Sequence, residues 1–296
     1  MNLMLYRGFT QQSEIDAEYN PSRTATEPQA ALDHFVGQAR LAREKLDCVL
    51  NVPYGATLDE TLDIFPAAER NAPVWMFIHG GYWRSMSSKD FSGVALGPHA
   101  LGFTTVVVNY ALCPGVTIDE IVRQIRASLA WVHRNISAYG ADPTRIVLGG
   151  HSAGAHLTAM AIMTPWATQY GMPETPVSAA MLISGVFDLR PLKYSYLQPA
   201  LQLDDGLIQR CSPLLRLEAT GPHVSMSAKQ TPVLVSWGAM ESREFQRQST
   251  DFHEAWTASG GRSETHCQDS RVHFSALHGF EHNDHSLCQW MADTQK

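Results

Sequence analysis

The pattern that most constrains the fold is a series of short apolar runs that alternate with helix-like segments. Five runs read as strands: residues 74–78 (VWMFI), 104–110 (TTVVVNY), 145–150 (RIVLGG), 179–184 (AAMLIS) and 232–237 (PVLVSW). Strands that are apolar along their whole length, with helices between them, are typical of a parallel sheet covered on both faces. The sequence therefore predicts an α/β fold with a mostly parallel central sheet.

A helix and a strand pair are predicted ahead of this series. Residues 28–45 have Pro28 in a first-turn position and apolar residues at helical spacing, which predicts a helix outside the sheet. The runs at 47–52 (DCVLNV) and 61–65 (TLDIF) flank a segment of turn composition. They predict an antiparallel pair of strands at the start of the sheet.

Two more helices and a last strand are predicted farther along the chain. Thr117 and Glu120 have the spacing of a capping box before an amphipathic stripe that reaches Ile136. A second helix follows Ser242, and the apolar run at 272–277 (VHFSAL) predicts the final strand.

The domain organisation is predicted to be simple. A chain of 296 residues can form one α/β domain, here 1–296, around a single core. The segment 186–230 breaks the strand and helix rhythm with several prolines and is too long for an ordinary loop. We expect it to form a lid inserted in the domain.

Composition excludes several classes of partner. The net charge is −7 and no basic cluster is present, so a nucleic-acid partner is not expected. No run of about 18 apolar residues suggests a membrane span, and the first residues lack the apolar core of a signal peptide. Five widely spaced cysteines without a CxxC pair argue against a disulfide framework. We expect a cytoplasmic protein, and a homodimer is compatible with the sequence.

The segment GGHSAGAHL contains the first motif that indicates chemistry. Residues 150–154 fit G-x-S-x-G, with an apolar strand before them and a helix-compatible run after them. This is the context of a nucleophilic serine on a sharp strand-to-helix turn, where side chains at Gly150 or Gly154 would collide with backbone. The motif predicts Ser152 as a nucleophile.

A second motif, HGGYW, follows the strand at 74–78. In enzymes with a nucleophile of this kind, the loop after that strand supplies an oxyanion donor, beside the amide of the residue after the serine. Glycines allow the backbone to approach a tetrahedral intermediate closely. The predicted oxyanion donors are the amides of Gly80, Gly81 and Ala153.

An acid and a base are expected after the later strands, in that order. Glu241 is the first carboxylate past the strand at 232–237, whereas Glu244 and Asp251 fall inside the next helix and are weaker candidates. Three histidines follow the predicted last strand: His278, His282 and His285. Their spacing does not choose the base among them.

The same segment raises a competing interpretation. His278, Glu281 and His282 match H-x-x-E-H, which is a zinc-binding helix pattern in some peptidases. Gly279 disfavours a helix there, and the segment directly follows a predicted strand. A zinc hydrolase is therefore the less favoured alternative, and no metal or other cofactor is expected.

The chain resembles the arylformamidase (kynurenine formamidase) branch of the α/β-hydrolases over nearly its whole length. HGGYW and GHSAGAHL carry the resemblance together. Further matching segments are EYNPSR, VPYG, LDIF, SGVFDL, LQL with SPLL, EFQRQS and LHGFEH.

The resemblance implies a serine hydrolase that cleaves an aryl formamide such as N-formylkynurenine, a small-molecule substrate. It implies Ser152 as nucleophile, His282 as base and Glu241 in an acid position that family members fill with aspartate. Ser-His-Glu arrangements are known among hydrolases. A carboxylesterase would share these residues and is the alternative. The expected pocket residues are Tyr82, Trp83 and His156, although Tyr82 and Trp83 fit a core position equally well.

Overall fold

A central β-sheet organises the protein. The structure is a computed structural model that describes residues 4–25, 27–219 and 229–296. These residues form an eight-stranded sheet. Its strands are β1 (Val49–Pro53), β2 (Thr61–Phe65), β3 (Ala72–Ile78), β4 (Thr104–Val108), β5 (Ala141–His151), β6 (Ala179–Ile183), β7 (Val233–Gly238) and β8 (Ser263–Gln268).

The strands follow the order β1-β2-β4-β3-β5-β6-β7-β8. The pairs β1–β2 and β2–β4 are antiparallel, and every later pair is parallel. This confirms both the mostly parallel sheet and its antiparallel opening pair. Six parallel strands, β3–β8, therefore end at the same edge of the sheet, where their C-terminal loops meet.

Helices cover both faces of this sheet. Their bounds are α1 (Gln12–Tyr19), α2 (Pro28–Lys45), α3 (Leu96–Ala100), α4 (Ile118–Asn135), α5 (Ala153–Ile162), α6 (Trp166–Tyr170), α7 (Gln198–Leu201), α8 (Asp205–Cys211), α9 (Pro213–Glu218), α10 (Arg243–Ala258) and α11 (Ser286–Asp293). Short 3-10 turns connect several of them.

The alternating side-chain directions along the strands divide the hydrophobic core into two halves. Val74 and Met76 of β3 pack in one hydrophobic cluster, with residues of α4, α5 and α10. Trp75 and Phe77 pack in the other, with residues of α2 and α11. Successive side chains of a strand point to opposite faces, so an apolar run such as VWMFI supplies both halves at once.

The predicted helices agree with the structure except in one cap. Helix α2 begins at Pro28, and Ser242 caps α10 by accepting a hydrogen bond from the amide of Phe245 at 3.4 Å. Helix α4 begins after Thr117, but its predicted capping box is absent. The Thr117 hydroxyl instead donates to Asp119 at 2.5 Å, and the same carboxylate oxygen accepts from the Glu120 amide at 3.1 Å.

The last strand was predicted in the wrong place. Residues 272–277 form a loop and a 3-10 turn, and the last strand is β8, whose sequence is SETHCQ. Strand β8 lies at the edge of the sheet and most of its side chains are at least partly exposed, so it needs no apolar run. The apolar residues after it pack into the core from a loop, as Ala276 and Leu277 do.

The segment predicted as a lid lies between β6 and β7. Within residues 186–219 it forms short helices, α7–α9, and buries leucines such as Leu192, Leu201 and Leu207 against the main core. Residues 220–228 of the predicted lid lie outside the described residues. That this segment acts as a lid, and that 1–296 is one domain, stay predictions.

Helix α1, which the sequence analysis missed, is anchored by a polar network. The Tyr19 hydroxyl donates to Glu244 at 2.7 Å and accepts from Gln248 at 2.9 Å. The carbonyl of Tyr19 accepts from the hydroxyl of Tyr82 at 2.5 Å and from that of Tyr196 at 3.4 Å. One carbonyl thus joins the N-terminal helix, the HGGYW loop and the segment after β6.

Two findings bear on the cellular setting. Among the described residues, no helix combines the length and apolar character needed to cross a bilayer. All of Cys48, Cys113, Cys211, Cys267 and Cys288 are free thiols.

Candidate active site

Ser152 sits at the turn between β5 and α5. Its backbone has φ 57° and ψ −116°, a sparsely populated conformation for a residue with a side chain. Such strain is typical of a nucleophile held on a strand-to-helix turn. Ser152 directly precedes α5, whose first amides lack intrahelical partners.

Gly150 and Gly154 make this turn sterically feasible. A Cβ atom on Gly150 would lie 2.4 Å from the carbonyl oxygen of Gly154, and one on Gly154 would lie 2.0 Å from the carbonyl oxygen of Ile78. Both distances are far below contact, as the motif predicted. The two glycines let α5 start directly against the end of β3.

Glu241 and His273 form a buried pair at the ends of β7 and β8. The Oε2 atom of Glu241 lies 2.8 Å from Nδ1 of His273, and both side chains are nearly inaccessible to solvent. The His273 ring also packs on Phe245, with 4.3 Å between ring centroids. Ser152 and His273 line the same cavity. The structure therefore brings a hydroxyl, an imidazole and a carboxylate to one end of the sheet.

The second oxygen of Glu241 is also fixed. Its Oε1 atom accepts hydrogen bonds from the Ser184 hydroxyl at 2.5 Å and from the Gly238 amide at 2.7 Å. Ser184 follows β6 directly and has a φ of 53°. These two donors fix the position of the carboxylate and leave Oε2 for His273. Nothing in the local sequence around Ser184 signals this role.

The structure does not place His282, the predicted base, at the cavity that Ser152 lines. His282 is exposed in a turn, and with His278 and His285 it lines a separate cavity near His34. The physical reason is the position of the last strand: β8 ends at Gln268 rather than at residue 277. His273 occupies the loop that directly follows the true last strand, which is where a base was expected.

The zinc alternative also fails. Residues 278–282 form a turn rather than a helix, so His278 and His282 do not share a helical face. Glu281 is engaged by His34, and its other oxygen accepts from the Gly279 amide at 2.5 Å. Within residues 4–25, 27–219 and 229–296 no cluster of side chains has the geometry to hold a metal ion.

The two weaker acid candidates form ion pairs with another residue. Glu244 binds Arg247 at 2.7 Å and Tyr19, and Asp251 binds the same arginine at 2.6 Å. Neither carboxylate contacts His273. This leaves Glu241 as the acid beside the imidazole.

The predicted oxyanion loop lies against Ser152. A Cβ atom on Gly80 would lie 3.2 Å from Cβ of Ser152, so only glycine brings the backbone this close without displacement. Gly81 has a φ of 103°, and a Cβ atom there would lie 2.1 Å from the carbonyl oxygen of Ser85. Ala153, the third predicted donor, is the first residue of α5, where amides lack intrahelical partners.

His79 and Tyr110 orient this loop. Burial lowers the pKa of His79 to about 4, so its neutral ring donates from Nδ1 to the carbonyl oxygen of Gly80 at 2.8 Å. The Tyr110 hydroxyl donates to the carbonyl oxygen of His79 at 2.8 Å and lies 3.3 Å from that of Gly80. In a planar trans peptide the carbonyl of Gly80 and the amide of Gly81 point in opposite directions. Fixing the carbonyl therefore fixes the direction of the Gly81 amide.

His151, the residue before the serine, holds the loop that carries His273. Its Nε2 atom lies 2.9 Å from the carbonyl oxygen of His273, and the two ring centroids are 4.7 Å apart. Burial and the neighbouring His273 lower the pKa of His151 well below its usual value. The ring is therefore neutral, and its Nε2 donates to that carbonyl. The sequence analysis gave His151 no role.

A cavity of about 520 Å³ opens above Ser152 and His273. Tyr82 lies on its wall, as predicted for a pocket residue. Trp83 is fully buried and His156 packs edge-on against it, with its Nε2 2.6 Å from the carbonyl oxygen of Cys211. Trp83 and His156 thus lie behind the wall, contrary to the prediction, because the chain turns inward after Tyr82.

The fold and the site define a class of protein. A mostly parallel sheet with a G-x-S-x-G turn after its central strand is the architecture of α/β-hydrolases. The crystal structure of EstE1, a carboxylesterase cloned from a metagenomic library, has this fold. It superposes with a TM-score of 0.67 over 91% of this chain and 98% of that chain, at 18% sequence identity.

Sequence comparison identifies the family. The chain belongs to the BD-FAE family, whose profile matches residues 62–255. It is also similar to the kynurenine formamidase of Danio rerio, at 29% identity over 89% of each chain. The kynurenine formamidase of Salmo salar is 30% identical, over 84% of this chain and 82% of that relative. The chain is therefore an enzyme, a hydrolase. His273 and the N-terminal helix lie outside the BD-FAE match.

Proposed function

We propose that this enzyme is a serine hydrolase that cleaves aryl formamides by acyl transfer, with Ser152, His273 and Glu241 as its catalytic residues. The observation that carries the proposal is the buried hydrogen bond between Glu241 and His273, 2.8 Å long, beside the cavity that Ser152 lines. An imidazole oriented by a carboxylate next to a strained serine is the arrangement that generates an alkoxide-like nucleophile.

Acylation begins with attack of the Ser152 oxygen on the formamide carbonyl. His273 takes the serine proton on Nε2, while its Nδ1 proton stays hydrogen-bonded to Glu241, which stabilises the imidazolium. The amides of Gly80, Gly81 and Ala153 bind the oxygen that becomes negative, and losing one such donor typically costs about 100- to 1,000-fold in rate.

Collapse of the tetrahedral intermediate breaks the carbon–nitrogen bond. His273 gives its proton to the departing aryl amine, and a formyl ester remains on Ser152. A water molecule then attacks this ester while His273 accepts a proton from the water. The second tetrahedral intermediate expels the serine oxygen, which His273 reprotonates, and formate leaves. No metal ion enters these steps.

The choice of an aryl formamide is supported by the relatives and by the cavity. Relatives that match most of the chain are kynurenine formamidases. Phe35, Phe91 and Phe274 on the cavity wall offer apolar surface to an aromatic ring. A carboxylesterase is the second candidate, because ester cleavage uses the same residues and EstE1 shares the fold. Five free thiols favour a cytoplasmic location for either enzyme.

A labelling experiment tests the serine mechanism. A fluorescent organophosphonate should label the wild-type enzyme at one site, which mass spectrometry should assign to Ser152. Ser152→Ala should remain unlabelled and Cys113→Ala should label normally. Chelators should not reduce turnover of N-formylkynurenine. Loss of activity with a chelator and its recovery with zinc would overturn the proposal, as would labelling of Ser152→Ala.

A substrate panel tests the reaction. The enzyme should hydrolyse N-formylkynurenine with a larger kcat/KM than short para-nitrophenyl esters. The opposite order, with the formamide inert, would make the enzyme a carboxylesterase.

A further inference from the structure

One side chain with a permanent formal charge lies on the wall of the active-site cavity, among the residues that the structure describes. This side chain is that of Arg84. The described residues that line the cavity include no other arginine and no aspartate, glutamate or lysine. The whole chain carries a net charge of −7. A positive group at the cavity is therefore the reverse of the protein's overall charge.

Arg84 has no acidic partner within the part of the chain that the structure describes. Its guanidinium carbon lies 5.8 Å from the ring centroid of Tyr196, which also lines the cavity. By contrast, Arg190 binds Asp188 at 2.7 Å, and Arg247 binds Glu244 at 2.7 Å. Arg84 keeps its donors free, and contact with an aromatic face orients it.

The rest of the wall is mostly apolar. Besides the catalytic residues it includes Leu32, Phe35, Met86, Phe91 and Phe274. A cavity of about 520 Å³ falls in the range of small-molecule sites, which is about 300–1,000 Å³. Such a site selects a ligand with an aromatic body and a few polar groups placed opposite fixed partners.

We propose that Arg84 is the receptor for a carboxylate on the substrate, so that the enzyme selects anionic aryl formamides or esters over neutral ones. This inference rests on the proposed function of the same site. The carboxylate would receive two parallel N–H···O bonds from the guanidinium, which is the geometry that arginine offers and lysine does not. Tyr196 would hold the guanidinium plane while the aromatic ring lies between Arg84 and Ser152.

The alternative is that Arg84 is a surface arginine whose role is only to cover the ring of Tyr196. It predicts that Arg84 contributes equally to every substrate. A receptor for carboxylate predicts instead that its loss penalises the charged member of a matched pair. The decisive quantity is therefore the ratio of kcat/KM values for two substrates that differ only in charge.

The experiment uses N-formylkynurenine and its carboxamide, in which a neutral amide replaces the carboxylate. A second pair, para-acetoxybenzoate and para-acetoxybenzamide, asks the same question of an ester. Both pairs are measured with wild type, Arg84→Gln and Arg84→Lys. Arg40→Gln is the matched control, because Arg40 is exposed on α2, does not line the cavity and lies 3.5 Å from Glu44.

We expect the carboxylate preference to fall about ten-fold in Arg84→Gln, through KM rather than kcat, since one exposed charge-assisted contact is lost. Arg84→Lys should keep about half of the carboxylate preference, measured as the logarithm of the kcat/KM ratio, because lysine retains the charge without the bidentate geometry. Added salt should raise the KM of the carboxylate substrates for wild type more than for Arg84→Gln. Arg40→Gln should keep the wild-type ratio.

An unchanged ratio in Arg84→Gln for both pairs would overturn the inference while leaving the proposed function intact, since both substrates would still be hydrolysed. An equal fall in Arg40→Gln would overturn it too, because a general field effect would then suffice. If wild type hydrolyses neither pair and Ser152 resists the phosphonate, the proposed function fails and this inference fails with it.

Discussion

Replacing Glu241 with glutamine tests the centre of the proposed mechanism. Both oxygens of the carboxylate are in use: Oε1 accepts from Ser184 and Gly238, and Oε2 binds His273. A glutamine has one oxygen and one NH2 group to place in these positions. Each of its two orientations mismatches one of the hydrogen-bonding partners in the site.

The hydrogen-bonding partners in the structure indicate the consequence of each orientation. With the new oxygen toward His273, the NH2 group would face the Gly238 amide, which is a donor and cannot turn away. An unsatisfied buried donor costs about 1–3 kcal/mol. With the oxygen toward Gly238 instead, the NH2 group faces Nδ1 of His273 and forces the proton onto Nε2. That tautomer cannot accept the proton of Ser152.

The magnitude follows from two losses. Recovering the correct tautomer costs about 1–3 kcal/mol, and the lost charge-assisted bond to the imidazolium costs about 1.5–3 kcal/mol more. The sum corresponds to a fall in kcat of about 10²- to 10⁴-fold, at about 1.4 kcal/mol per factor of ten. The upper end equals the roughly 10⁴-fold effect of the analogous acid-to-amide change in the Ser-His-Asp proteases.

Steady-state kinetics on Glu241→Gln, Glu241→Asp and Glu244→Gln would measure this effect, with circular dichroism to confirm folding. Glu241→Asp withdraws the carboxylate by about 1.5 Å, one carbon–carbon bond, so it should fall between wild type and Glu241→Gln. Glu244→Gln is the matched control and should keep kcat within a few-fold while losing stability, since it disrupts the pairs with Arg247 and Tyr19. Near-normal turnover in folded Glu241→Gln would refute the assignment.

Two further predictions concern histidines. His273→Ala should lose at least about 10³-fold in kcat, because the general base is removed, whereas His282→Ala should keep most of the activity; kinetics on purified variants would show the reverse if the base were His282. His151→Phe keeps an aromatic ring but loses the bond to the His273 carbonyl, so kcat should fall about three- to ten-fold with KM little changed. His151→Gln, which retains a donor, should recover part of that loss, and equal kcat values for the Phe and Gln variants would remove His151 from the mechanism.

How much of the site could be predicted depends on how local its signals are. Ser152, Gly150, Gly154 and the glycines after β3 belong to short motifs whose geometry is imposed by immediate neighbours, so the sequence shows them. Glu241 was found by a simple rule, as the first carboxylate after β7. These positions follow strands that are buried and apolar, and such strands are readily located.

The base could not be found in this way. Strand β8 is held by backbone pairing to β7 and is partly exposed, so its sequence carries no apolar signal. The apolar run VHFSAL then resembled the missing strand, although it contains His273 itself. A histidine between two apolar residues in a loop is the one local sign of the proposed base. The roles of Ser184 and His151 depend on contacts with residues 57 and 122 positions away, and no sequence window reaches them.

The anchoring of α1 has a consequence for how the enzyme is made. Tyr19 is synthesised well before its hydrogen-bonding partners Glu244 and Gln248, which are separated from it by 225 and 229 positions. Tyr6 likewise donates to Asp188, 182 positions later. Non-local contacts of this kind form only after the intervening chain has been synthesised. A nascent chain that has just passed Ser152 therefore lacks Glu241, His273 and the partners that anchor α1, so we expect catalytic activity only after His273 has been synthesised.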